Sequence, residues 1–81
     1  YKKLDFPKNL VNLQAYKNGF IGLRHGRNVV ILGKNGSVEQ EFYVPEDIIS
    51  LYYSQYHKDY LYLLDRDSQL HIYSMKKEDL K

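Results

Sequence analysis

The sequence contains an internal repeat, which limits the chain to folds that are built from copies of one small unit. Three segments of the first copy recur in the second: Leu10-x-x-Leu13 in Ile48-x-x-Leu51, Asn18-Gly19-Phe20-Ile21-x-Leu23 in Lys58-Asp59-Tyr60-Leu61-x-Leu63, and Asn28–Leu32 in Gln69–Tyr73. The offset between the copies grows from 38 residues (position 10 to 48) to 41 residues (position 28 to 69). Such growth is typical of small insertions at turns.

Turn signals divide both copies into short strands. Clusters of Gly, Asn, Asp and Pro, which favour chain reversal, recur at even intervals along the 81 residues. The runs between them predict seven strands, over residues 10–17, 20–25, 29–33, 38–44, 48–54, 60–65 and 70–74. A helix is an alternative to the first strand, because Asn9 and Gly19 are suitable caps for a helix over residues 10–17.

The repeats resemble the blades of WD-repeat propellers. Ile48–Ser54 is similar to the innermost strand of such a blade, and Tyr60–Tyr73 is similar to the next two strands and their turn. Asp67 stands where that family often has its turn aspartate, and Tyr73 stands where it has Trp. Tyr73-Ser74 and Leu32-Gly33 replace the Trp-Asp pair that names the family. The offset also matches the blade period of about 40–45 residues.

We therefore expect an all-β fold of two consecutive four-stranded antiparallel propeller blades. Residues 1–81 form a single unit, with blade one over residues 10–44 and an incomplete blade two over residues 48–77. Propellers close with about four to eight blades, so the remaining blades would come from the same chain or from other copies. A small closed β-barrel is the alternative architecture.

Composition narrows the class of partner. The formal net charge of +2 is too small to indicate nucleic-acid binding. The longest apolar runs are far too short for membrane insertion. The chain has no Cys, which excludes disulfides and thiolate metal sites. Without Cys or a visible signal peptide, we expect an intracellular protein of the cytoplasm or nucleus.

No catalytic pattern emerges from the residues. His25, His57 and His71 lack the spacing of metal ligands, and we expect the first two in turns and His71 facing outward. No Ser lies in a Gly-x-Ser-x-Gly elbow. We therefore expect no enzyme activity, no cofactor and no metal.

Surface turns are the remaining candidates for function. In a propeller, the turns after the second strand and those between blades share one rim. That rim is predicted to hold the partner-binding residues: His25, Arg27, Glu46, Asp47, Arg66 and Asp67. The opposite rim is predicted to hold Lys34, Asn35, Tyr56, His57, Lys58 and Asp59.

These residues favour a scaffold that binds other protein subunits within an assembly. Mixed charges with Arg and Tyr are common at protein interfaces. Two alternatives are a carbohydrate-binding module that forms an oligomeric propeller and a small-barrel nucleic-acid-binding protein. The latter would stack bases on exposed tyrosines, for which the candidates are Tyr16, Tyr43, Tyr52 and Tyr53. For the core, we expect Leu63 and Ile72 to be buried.

Overall fold

The structure is a computed structural model that describes residues 3–54 and 59–75. These residues form seven strands: β1 (Leu10–Tyr16), β2 (Gly19–Arg24), β3 (Asn28–Leu32), β4 (Val38–Tyr43), β5 (Ile48–Ser54), β6 (Tyr60–Asp65) and β7 (Leu70–Ser74). The predicted strands are confirmed to within one residue at each end, and the rival helix over residues 10–17 is wrong. No helix long and apolar enough to cross a membrane occurs in this part of the chain.

Residues with positive φ close the turns between strands. His25 (φ 59°) and Gly26 (φ 74°) reverse the chain between β2 and β3, and Ser68 (φ 65°) does so between β6 and β7. Gly36 (φ 85°) lies between β3 and β4, where an added Cβ would approach the carbonyl oxygen of Asp5 to 2.8 Å. Only glycine satisfies both the backbone angle and this close approach.

The strands form two separate antiparallel sheets. The first sheet has the order β1-β2-β3-β4, and the second sheet has the order β5-β6-β7. Neither sheet closes on itself within the described residues, so the alternative of a closed barrel is wrong. The reason lies in residues 44–47, which carry the chain out of the first sheet before β5 begins the second. Residues 76 and 77 of the predicted second blade lie outside the described residues.

The main core lies between the two sheets. Ile21, Leu23 and Val29 of the first sheet and Leu61 and Leu63 of the second are at most 1% exposed and belong to one cluster. Rings also meet across the gap, since the centroids of Phe42 and Tyr73 are 6.4 Å apart. Burial of these side chains is the main favourable contribution to the packing of one sheet on the other.

Strand β1 also bonds directly to the backbone of β5. The Nε2 atom of Gln14 donates to the carbonyl oxygen of Leu51 at 2.6 Å, and its Oε1 atom accepts from the backbone N–H of Tyr53 at 3.0 Å. β5 is an edge strand of the second sheet, so these two backbone groups point away from β6. Gln14 thus satisfies an otherwise unpaired edge and fixes the position of the two sheets.

The other side of the first sheet is partly covered by residues 3–9. Val30 and Leu32 are at most 1% exposed although they lie outside the main cluster. The ring of Phe6 meets Phe20 edge-on, with centroids 5.3 Å apart. Phe6, in a segment that forms no strand, therefore covers the Phe20 part of this side, and the side chains of Leu10 and Leu13 lie over Gly22.

The strand pairing shows how the repeats correspond. Arg24 pairs with Leu10 and Asn28, and Asp65 pairs with Ile48 and bonds through its N–H to the oxygen of Gln69. Arg24 and Asp65 thus occupy equivalent positions at the end of the second strand of each sheet. Their partners in the first strands are 38 residues apart in sequence (10 to 48), and their partners after the turn are 41 residues apart (28 to 69). Both values agree with the sequence alignment.

For the second strands, the structure corrects the alignment by one residue. Phe20, which pairs with Leu32, corresponds to Leu61, which pairs with Tyr73. The sequence alignment pairs Phe20 with Tyr60 instead. Side chains alternate between the two faces of a strand, so a shift of one residue exchanges the faces. Leu61 therefore corresponds to the shielded side of the first sheet and not to the side that carries Ile21.

The two sheets consequently pack face to back. We define the front face of each sheet as the side that carries Ile21 in the first sheet and the equivalent residue Tyr62 in the second. The back face carries Phe20 in the first sheet and Leu61 in the second. Because Ile21 and Leu61 share the main core, the front of the first sheet packs on the back of the second.

Two expectations for β7 are wrong for the same reason. Ile72 lies on the front face of the second sheet and is 55% exposed, so it is not a core residue. His71 does not face outward, because it lies on the back face beside Leu63 and bonds to Asp65. Leu70 and Ile72 lie on the same face of β7, and that face points away from the first sheet.

Candidate functional site

The predicted partner-binding residues converge on one side of the molecule. An open cleft of about 380 Å³ is lined by six charged side chains: Arg27, Glu46, Asp47, Asp65, Arg66 and Asp67. Five of them were predicted from the order of the turns, and Asp65 was not. His25, the sixth predicted residue, is exposed in the turn before Arg27 but does not line the cleft.

Backbone hydrogen bonds hold the three segments of the cleft together. The N–H of Val44 donates to the oxygen of Arg27 at 2.8 Å, and the N–H of Ile48 donates to the oxygen of Gly26 at 2.7 Å. The N–H of Arg66 then donates to the oxygen of Asp47 at 2.9 Å. The linker of residues 44–47 is therefore bonded to a turn of each sheet, independently of the charged side chains.

Arg27 and Asp47 form an exposed ion pair at the side of the cleft. The Nε atom of Arg27 lies 2.6 Å from Oδ1 of Asp47, and its Nη1 atom donates to the hydroxyl of Tyr43 at 3.0 Å. The hydrogen bond from Arg27 lowers the pKa of the Asp47 carboxyl, and the same bond raises the pKa of Arg27. Both side chains remain more than 40% exposed, so a partner can reach them.

Asp65 organises the turn that carries the rest of the cleft. Its Oδ1 atom accepts from the backbone N–H groups of Asp67 at 2.8 Å and Gln69 at 2.9 Å. Its Oδ2 atom lies 2.8 Å from Nε2 of His71. The hydrogen bond from His71 is the largest cause that lowers the pKa of Asp65, followed by the bond from Gln69. An Asp that accepts from the N–H two residues ahead is a known turn signal, and it is the signal that sequence reasoning missed.

The remaining charges of the cleft are available to a partner. Within the described residues, the side chains of Glu46, Arg66 and Asp67 have no hydrogen bond or ion pair within 4.0 Å. The cleft thus presents one guanidinium and two carboxylates beside the Arg27–Asp47 pair. Its six lining residues include no hydroxyl, thiol or imidazole group. Among residues 3–54 and 59–75, no three His, Cys, Asp or Glu side chains are arranged to hold a metal ion.

The opposite end of the sheets has a second open cleft. It is about 610 Å³ in volume, and its lining includes Lys17 and Lys34 together with Glu39. Of the residues predicted for the opposite rim, Asn35 is exposed, and Asp59 bonds to the hydroxyl of Tyr53. Tyr56, His57 and Lys58 lie outside the described residues.

The candidate tyrosines do not form a base-stacking surface. Tyr16 and Tyr53 are 8% and 7% exposed and meet edge-on in the core, with ring centroids 4.6 Å apart. Burial, followed by the hydrogen bond to Asp59, raises the pKa of Tyr53. Tyr43 and Tyr52 are exposed, but they belong to different sheets. Two of the four side chains are therefore structural, and the other two do not adjoin in one sheet.

Comparison of the chain with protein-family models, curated proteins and solved structures found no match in any of the three. The packing of the two sheets and the residues of the charged cleft are therefore the basis for a functional proposal.

Proposed function

We propose that the chain is a non-catalytic β-propeller scaffold whose two sheets are consecutive blades and whose charged cleft binds another protein subunit. The observation that carries this proposal is the face-to-back packing. A rotation that generates a ring presents the same face of every unit to the back of the next. Two sheets related by a two-fold axis would instead pack through the same face of each, which would bring Ile21 into contact with the equivalent residue Tyr62.

The connectivity supports the same architecture. Both sheets are meanders in which consecutive strands are neighbours, and the linker of residues 44–47 leads from the last strand of the first sheet to the first strand of the second. The repeat offset of up to 41 residues (position 28 to 69) equals one propeller blade of about 40–45 residues.

The charged cleft supports protein binding. It places Arg66 next to Asp67 and Glu46, at the junction between the two sheets. Closely mixed charges give a partner specificity through complementary placement, while each exposed charge contributes little to the stability of the fold. Four carboxylates among six lining residues disfavour a nucleic-acid backbone. The absence of an aromatic ring from the lining disfavours a sugar, which aromatic faces commonly bind.

The test compares two sets of substitutions. Proteins retained by the immobilised chain are identified by mass spectrometry and then titrated individually against purified variants. The variant Arg27→Ala/Asp47→Ala/Arg66→Ala/Asp67→Ala should bind at least about tenfold more weakly, a loss of about 1.4 kcal/mol. The control Lys17→Ala/Lys34→Ala at the opposite cleft should bind normally. Circular dichroism must show both variants folded.

Asp67 is suitable for substitution because its structural role does not involve its side chain. Its backbone N–H donates to Asp65, and Ala retains that group. Asp67→Ala alone should therefore leave the fold intact and weaken binding. Full binding by the folded quadruple variant would show that the cleft is not the site. Loss of binding by Lys17→Ala/Lys34→Ala instead would place the site at the opposite end.

A further inference from the structure

The front face of the second sheet is an exposed apolar surface. Tyr52 is 58% exposed, and Leu70 and Ile72 are each 55% exposed. Tyr62 and Leu64 lie between them on the central strand. Large apolar side chains that adjoin on one sheet face indicate a surface that binds another protein surface.

Each of these residues corresponds to one that is in contact with the other sheet in the first repeat. The pairs are Tyr52 with Gln14, Tyr62 with Ile21, Leu64 with Leu23, Leu70 with Val29 and Ile72 with Ile31. In the first sheet, Ile21, Leu23 and Val29 are buried against the back of the second sheet. The exposed front of the second sheet therefore repeats a surface that already binds a sheet in this molecule.

The back face of the first sheet has the matching chemistry. Phe20 and Leu32 hold the places of Leu61 and Tyr73, which lie on the face that receives the first sheet. The part of this back face around Phe20 and Leu32 is apolar, and Phe6 covers Phe20, whereas its other end carries Arg24 and Asn28, which both contact Glu41. Phe6 lies on Phe20 without any strand pairing to hold it there, so a better fitting sheet can displace it.

We infer that the front face of the second sheet docks the back face of the first sheet of a second copy of this chain. This inference rests on the proposed propeller architecture, because it extends the same face-to-back rotation from one molecule to the next. Residues 3–9 act as an internal competitor that weakens the association. An interface of this head-to-tail kind forms a closed ring when the rotation closes.

Sedimentation velocity over a wide range of concentration tests the inference. The parent chain should sediment as monomer at low concentration and as larger closed species at high concentration. Ile72→Lys should weaken this association by at least about tenfold, because it places a charge within an apolar contact. Val11→Lys is the matched control: Val11 is 50% exposed on β1, outside both docking faces, and its substitution should leave association unchanged.

A second variant tests whether residues 3–9 compete with self-association. Phe6→Ala removes the ring that lies on Phe20, so it should strengthen self-association several-fold while Ile72→Lys in the same background abolishes the gain. Circular dichroism reports whether each variant is folded. A folded Phe6→Ala chain that stays monomeric at every concentration would overturn the inference, as would normal association of folded Ile72→Lys.

Failure of this inference differs from failure of the proposed function. The quadruple variant of the charged cleft should associate with itself like the parent chain, because none of its four residues lies on the docking faces. A chain that stays monomeric but captures partners through the charged cleft would refute the docking surface alone. A chain that associates through Ile72 but loses no partner in the quadruple variant would refute the cleft alone.

Discussion

The carboxylate of Asp65 joins the turn between β6 and β7 to the imidazole of His71, with Oδ2 2.8 Å from Nε2. The other oxygen, Oδ1, accepts two backbone N–H groups of the same turn. A single side chain therefore fixes both the conformation of the turn and its position on β7. Asp65 is also a lining residue of the charged cleft, so the shape of the cleft depends on this hydrogen-bond network.

Asp65→Asn should make the chain less stable at neutral pH. The hydrogen bonds from His71 and from the backbone N–H of Gln69 lower the pKa of Asp65 below its ordinary value of 3.8, so the ionised form stabilises the fold. This contribution is present above that value and is lost as the pH falls through the lower, folded-state pKa. Urea unfolding at several pH values should therefore show the parent chain and Asp65→Asn converging below about pH 4. Asp67→Asn, an exposed control, should have the same free energy of unfolding as the parent chain at each pH. If the difference in this free energy between the parent and Asp65→Asn did not change with pH, the proposed role of the Asp65 charge would be wrong.

Gln14→Leu should destabilise the chain although the two side chains have similar volumes. The substitution leaves the N–H of Tyr53 and the carbonyl of Leu51 without their partner. An unsatisfied buried backbone group costs about 1–3 kcal/mol. Denaturant unfolding gives the change in the free energy of unfolding. Gln40→Leu, on exposed β4, should have little effect, and equal stability of the two variants would contradict the role of Gln14.

Leu63→Ala and Ile72→Ala should differ strongly in stability. Leu63 is fully buried between the sheets, and removing such a side chain costs about 2–5 kcal/mol. Ile72 is 55% exposed in the single chain, so its loss should cost less than about 1 kcal/mol at low protein concentration. Thermal unfolding of both variants measures the difference. A large loss for Ile72→Ala in the monomer would show that its face is covered within the chain.

Arg27→Ala should change partner binding more than stability. The ion pair between Arg27 and Asp47 is exposed, and solvent and salt screen such pairs. The melting temperature should remain nearly unchanged, while binding to a captured partner should weaken and depend less on salt. Biolayer interferometry at two salt concentrations measures this. Lys34→Ala is the matched control, and identical salt dependence for both variants would exclude Arg27 from the interface.

The strands could be predicted from the sequence because turn residues and apolar runs agree along the whole described chain. The register of β6 could not be predicted from the sequence. Tyr60, Leu61, Tyr62 and Leu63 all have large apolar groups, so their order does not show which side chains face the core. The same ambiguity made Ile72 look like a core residue. Only the packing of one sheet on the other shows which face is buried.

The charged cleft could be predicted in outline for a related reason. The order of strands in two consecutive antiparallel sheets determines which turns lie at the same end, and this order brings Arg27, Asp47 and Arg66 together. The contribution of Asp65 could not be read from its strand assignment, because its side chain acts on the backbone of the turn that follows. The contact of Arg27 with Tyr43 depends on the pairing of Asn28 with Tyr43 between β3 and β4, a register that no local pattern predicts.

The linker of residues 44–47 holds two turns of the cleft in place through its backbone alone. These bonds use the carbonyl oxygen of Arg27 in one sheet and the N–H of Arg66 in the other, so a change of either side chain keeps them, and only Pro at position 66 would remove a donor. Substitutions at residues 27 and 66 can therefore change the charges of the cleft while this backbone frame is kept. As long as Asp65 is retained, a different partner requires only different side chains at these turns.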